Sequence, residues 1–97
     1  MKVINDINFK EEIAKGRVLV DFYADWCGPC RMLLPVLEES DQKIGIPIKK
    51  VNVDDSASIA REYGVMTIPT LILFEDGKEI KRNVGFLNLE QLEEFVK

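Results

Sequence analysis

The chain has 97 residues, 46% hydrophobic and 31% charged, with 13 Lys and Arg spread among 17 Asp and Glu for a net charge of −4. That size suits one small core, so residues 1–97 read as a single domain. The dispersed, acidic balance excludes a basic nucleic-acid footprint, and no apolar run reaches the roughly 18 residues of a membrane span.

Met1-Lys2-Val3-Ile4-Asn5-Asp6 turns acidic before a signal-peptide core could form, which makes the cytoplasm the expected setting. Asn8 with Glu11 three residues on reads as a capping box opening a short helix, closed by Gly16. Val18-Leu19-Val20-Asp21-Phe22-Tyr23-Ala24 is a β-branched and aromatic run, predicting a strand buried on both faces. Helical sequence follows from about Gly28 to Lys43. Pro35 lies inside it and should kink the helix without ending it.

Ile48 to Val53, led in by Gly45-Ile46-Pro47, is a second strand. Ser56 to Tyr63 predicts a helix with Gly64 as its stop. Thr70–Glu75 and Lys78–Val84 flank Asp76-Gly77, a strong hairpin signal. Asn88 with Gln91 marks another capping box, and Leu89, Leu92 and Val96 give the last helix an apolar stripe. Strands alternating with helices, then a hairpin and a helix, predict an α/β fold with a mixed sheet covered on both faces.

The only two cysteines stand together in Trp26-Cys27-Gly28-Pro29-Cys30, and there is no histidine. A structural disulfide is one reading, but closing so short a loop restrains the unfolded chain by only about 2 kcal/mol. A zinc site needs two further Cys or His ligands. Two inert core cysteines are a third reading, disfavoured because Gly-Pro marks a turn at a helix start, where side chains tend to be exposed.

Redox chemistry has a mechanism behind it. Cys27 falls at a helix N-terminus, where unpaired amides and the helix dipole favour a thiolate. Cys30 follows one turn later. Cys27 would attack a substrate disulfide and Cys30 would resolve the mixed disulfide. Pro29 pre-sets the first turn, and Gly28 leaves room for a partner.

Together with Val20-Asp21-Phe22-Tyr23-Ala24, Ile68-Pro69-Thr70 and Gly85 in order and approximate spacing, this motif resembles the thioredoxin family over essentially the whole chain. The resemblance implies a thioredoxin fold, protein disulfide reductase activity, and no cofactor beyond the redox-active cysteine pair. Its implied partners are disulfide-containing client proteins and a thioredoxin reductase, NADPH- or ferredoxin-linked. A monomer is the default state.

Asp21, in a buried apolar strand, must raise its pKa or find a partner; the resemblance makes it the proton acceptor and donor for Cys30, through water. A solvated acid on an edge strand is the plainer alternative. Lys50 matches the family lysine that faces this aspartate. Strand alternation lets only one of Lys49 and Lys50 do so, and Lys50 is the expected one. By resemblance Pro69 is cis, the backbone of Ile68 pairs with an extended substrate segment, and Trp26, Gly28, Pro29, Ile68, Gly85 and Phe86 line the contact surface. Core packing is an equally open role for Phe86.

Several residues depart from the family pattern. Tyr23 stands where tryptophan is common, Arg31 where lysine is common, and Met66-Thr67 leaves the approach to Ile68 uncharged. Glu38 to Ile44 is polar, with Ser40 at a usually apolar position, so the second half of that helix is expected to be short, frayed or loosely packed. The competing function is a non-catalytic thioredoxin-fold subunit that binds a partner through the same surface. Retention of both cysteines, Asp21 and Ile68-Pro69-Thr70 speaks against it.

Overall fold

Two apolar runs organise the molecule because each must be covered on both faces. In the computed structural model, which describes residues 1–97, these become β2 (Arg17–Tyr23) and β4 (Thr70–Glu75), antiparallel neighbours at the centre of a five-stranded sheet. β1 (Lys2–Ile4) and β3 (Ile48–Asn52) extend it in parallel on one side, and β5 (Lys78–Val84) closes the other, giving the order β1-β3-β2-β4-β5. The helices are α1 (Phe9–Glu12), α2 (Gly28–Ser40), α3 (Ala57–Glu62) and α4 (Leu89–Phe95). No helix is long and apolar enough to cross a membrane.

Strand alternation divides β2 between two cores. Val18, Val20 and Phe22, with Val51, Ile72 and Phe74, pack against Phe9, Ile13 and Ile59. Leu19, Ile48 and Leu71 on the other face pack against Leu33 and Leu37 of α2 and Leu92 of α4. The predicted α/β architecture with helices on both faces is therefore the observed one. The hairpin also falls where predicted: Asp76 and Gly77 take φ of 50° and 84°, the paired left-handed conformation that a two-residue connection requires.

The first helix differs from its prediction. Asn8 makes no side-chain cap, and α1 ends at Glu12, before Gly16. The reciprocal box forms one turn earlier. Asn5 Oδ1 accepts from the amides of Ile7 and Asn8, at 2.9 and 3.1 Å, while Asn8 Oδ1 accepts from the Asn5 amide at 2.8 Å. Asn5→Ala is accordingly expected to cost about 1 kcal/mol and Glu11→Ala almost nothing, measured by urea unfolding. Equal losses would return the cap to Asn8.

α2 stops at Ser40, three residues short of the predicted Lys43, yet its second half is not loosely packed. Leu37 and Ser40 are both 0% exposed, and the Ser40 hydroxyl donates to the Leu37 carbonyl at 3.0 Å. Bonding back to its own helix lets a serine occupy an apolar position without leaving a polar group unpaired. β1 has no signal of its own in the sequence. It is three residues long with only Ile4 buried, too short to show alternation.

Candidate active site

β2 delivers the chain through Ala24-Asp25-Trp26 to the start of α2. Cys27 is the N-cap, in extended conformation, and its Sγ accepts the Cys30 amide at 3.2 Å. Gly28 and Pro29 form the first helical positions, where a missing amide hydrogen costs the helix nothing. Cys27 and Cys30 are joined in a disulfide, with their Cα atoms 5.2 Å apart.

Both cysteines are only 5% exposed, contrary to the exposure expected at a helix-start turn. They pack with Ala24 against Tyr23, Val53 and Ile68. Their neighbours form the open surface. Trp26 is 68% exposed, its indole Nε1 donating to Asp54 Oδ2 at 2.9 Å. A Cβ on Gly28 would meet nothing within 4 Å, so that position faces space and not the core. Phe86 is exposed too, which decides against a core role.

The loop before β4 supplies the other wall. The Ile68 carbonyl lies 3.8 Å from Cys27 Sγ, and the Ile68–Pro69 peptide is cis. Gly85, at φ +102°, donates its amide to the Pro69 carbonyl at 2.8 Å. Trp26, Cys27, Gly28, Pro29, Cys30, Ile68, Pro69 and Gly85 thus belong to three segments brought together at one end of the sheet.

Asp21 lies behind them on a central strand, so the edge-strand alternative does not hold. It is 1% exposed, opposite Lys50 on β3 and Leu71 on β4, and its Oδ1 has no hydrogen-bond partner in the protein. Burial pushes its carboxyl up to about 7, against the opposing pull of the Lys50 ammonium. Lys49 turns to the other face and pairs with Glu12 at 3.3 Å, which settles which lysine accompanies Asp21.

Lys50 Nζ sits 4.1 Å from the centroid of the Tyr23 ring. Tyr23, Lys50, Arg31 and Cys30 line a cleft of about 160 Å³. Two contacts at the site lie beyond the expectations from sequence. The Trp26–Asp54 bond joins residues 28 apart, with no sequence signal. The Tyr23–Lys50 contact was accessible in principle, since Tyr23 lies two residues beyond Asp21 and alternation puts both on one face.

A disulfide-bonded cysteine pair at a helix N-terminus, facing a cis-proline loop and backed by a buried carboxyl, defines a thiol-disulfide oxidoreductase. The thioredoxin family model matches residues 1–97. A thioredoxin of Chlamydia caviae is 52% identical over 93 residues, 95% of this chain and 91% of that protein. One of Bacillus subtilis is 48% identical over 93 residues, 94% of this chain and 89% of that protein. The solved structure of a mutant thioredoxin from Halobacterium salinarum superposes with a TM-score of 0.91 at 35% identity, covering 98% of this chain and 86% of that one. The chain belongs to the thioredoxin family, whose members work through their own cysteine pair, and it is a protein-disulfide reductase.

Proposed function

We propose that residues 1–97 act as one domain in which Cys27 is the attacking thiolate and Cys30 the resolving thiol. The observation that carries this order is the Cys30 amide directed at Cys27 Sγ at the helix N-terminus, a donor that stabilises negative charge on that sulfur. The reduced Cys27 sulfur attacks a client disulfide, forming a mixed disulfide and expelling one client thiolate. Cys30 then attacks Cys27 Sγ and expels the second. Two electrons have passed to the client, and the Cys27–Cys30 disulfide remains.

Asp21 takes the proton from Cys30 as it attacks and returns it on re-reduction, relayed by water, with Lys50 tuning its proton affinity. A carboxyl titrating at about 7 is suited to both directions near neutral pH. The client lies extended against Ile68, Pro69 and Gly85 and packs on Trp26, Gly28 and Pro29. Main-chain bonding of that kind supplies affinity without demanding a particular sequence. A thioredoxin reductase, linked to NADPH or ferredoxin, recharges the pair in a cytoplasmic setting, with the protein acting as a monomer. Insulin reduction with dithiothreitol tests the reductase assignment. Acceleration over dithiothreitol alone is expected, and a rate equal to the thiol alone would overturn it.

A further inference from the structure

Asp21 and Lys50 are direct partners across β2 and β3, yet Asp21 Oδ1 stays unpaired while the Lys50 ammonium sits over the Tyr23 ring at 4.1 Å. A cation at that distance from an aromatic face is attracted by the ring's quadrupole, more strongly where water is partly excluded. Tyr23 and Lys50 are both half-buried, so this site meets that condition. We propose that Tyr23 is the positioning residue for Lys50, holding its ammonium over the ring, in the cleft that Cys30 also lines, instead of letting it close on Asp21. It rests on Asp21 being the proton-transfer group of the reduction.

The surroundings leave few other charges to do this. On β4 the partner of Asp21 is Leu71, and α2 and α4 bring Leu33, Leu37 and Leu92 to that face. Lys50 is the charged group that acts on the Asp21 carboxyl. Arg31, at the start of α2, donates to the Asp25 carbonyl at 2.8 Å. Burial first, then the Asp25 carboxylate and more weakly Asp21 and Asp55, push the Tyr23 phenol above its usual pKa, against the opposing pull of a side-chain hydrogen bond with Asn52. The ring therefore remains a neutral phenol through the range in which Asp21 titrates, and its face, not a phenolate, holds the lysine.

The division has a consequence for the reaction. An ammonium in contact with Asp21 would favour the carboxylate and lower its proton affinity. Over the Tyr23 ring it remains in the cleft with Cys30, where a positive charge favours the thiolate that resolves the mixed disulfide. One aromatic side chain thus keeps Asp21 a proton carrier near neutrality.

The test is a pH titration of the Asp21 carboxyl carbon by NMR in the oxidised protein, which involves no turnover and so reads Tyr23 separately from any role of Asp21 in catalysis. Tyr23→Leu is expected to release Lys50 and lower the Asp21 midpoint by roughly one pH unit, the scale on which a partly buried charge pair responds when it closes to contact. Tyr23→Phe keeps the ring and should keep the midpoint. In a Lys50→Met background Tyr23→Leu should produce no fall. An unchanged midpoint in Tyr23→Leu, a fall of equal size in the Lys50→Met background, or a fall in Tyr23→Phe would each overturn the proposal. Should Tyr23→Leu fail to fold, the unsubstituted protein decides: upfield ring-current shifts of the Lys50 ε-methylene protons are expected, and random-coil values would overturn the proposal.

Discussion

Cys30→Ser is expected to arrest the protein covalently joined to its client through Cys27, whereas Cys27→Ser should form no adduct. Both substitutions should lower disulfide reductase turnover by about a thousandfold or more, the scale on which removal of a covalent nucleophile acts. The asymmetry follows from the first turn of α2. The Cys30 amide supports charge on Cys27 Sγ, so Cys27 is expected to lead the attack. A serine at position 30 cannot displace the client, because its hydroxyl is a poor nucleophile at neutral pH. Mass spectrometry of each reduced variant after exposure to a disulfide client checks this. An equimolar adduct on Cys27 is expected in Cys30→Ser alone. Adducts of equal yield in both variants would mean that the sulfurs are interchangeable.

How much of this could be read beforehand depends on how local the determining chemistry is. The Asp76-Gly77 turn, the Gly64 stop and the Asn88–Gln91 box each act within a few residues, and all three appear where expected. The Asn8–Glu11 box failed for a reason equally local: Asn5 and Asn8 have the same cap-to-third-residue spacing and form the reciprocal pair instead. Starting the turn at Asn5 still brings Phe9 and Ile13 into the core, 0% and 2% exposed. β1 escaped notice because its partner, not its own pattern, makes it a strand: Lys2, Val3 and Ile4 pair with Lys49, Lys50 and Val51.

The site divides in the same way. The cysteine turn is local and was legible. The Asp21–Lys50 pairing needs the β2–β3 register, which sets the rival Lys49 opposite Val20, on the face where it pairs with Glu12. Burial of the two sulfurs could not be foreseen, because it depends on Ile68 and Val53 arriving from separate loops.

Asp21→Asn is expected to make the protein more stable and slower at once. The buried carboxyl titrates at about 7, against an ordinary value of 3.8. Between those pH values the folded protein keeps a proton that the unfolded chain has released, so stability falls as the pH rises through the window. Above about 7 the loss is complete, and folding then holds an ionised carboxylate that is 1% exposed with an unpaired oxygen. Asparagine does not ionise. The stability gap in favour of Asp21→Asn should therefore be smallest near pH 4, widen toward pH 7, and level off at about 2–4 kcal/mol. Urea unfolding at pH 4, 6 and 8 measures it. Client reduction should fall by about tenfold or more, losing the inflection near pH 7 that the unsubstituted protein shows. A gap that stays constant with pH would remove the buried carboxyl as its cause, and an unchanged rate and pH profile would remove Asp21 from proton transfer. Stability and rate moving in opposite directions is the result a purely structural aspartate cannot give, since its loss would weaken the fold or leave the chemistry alone.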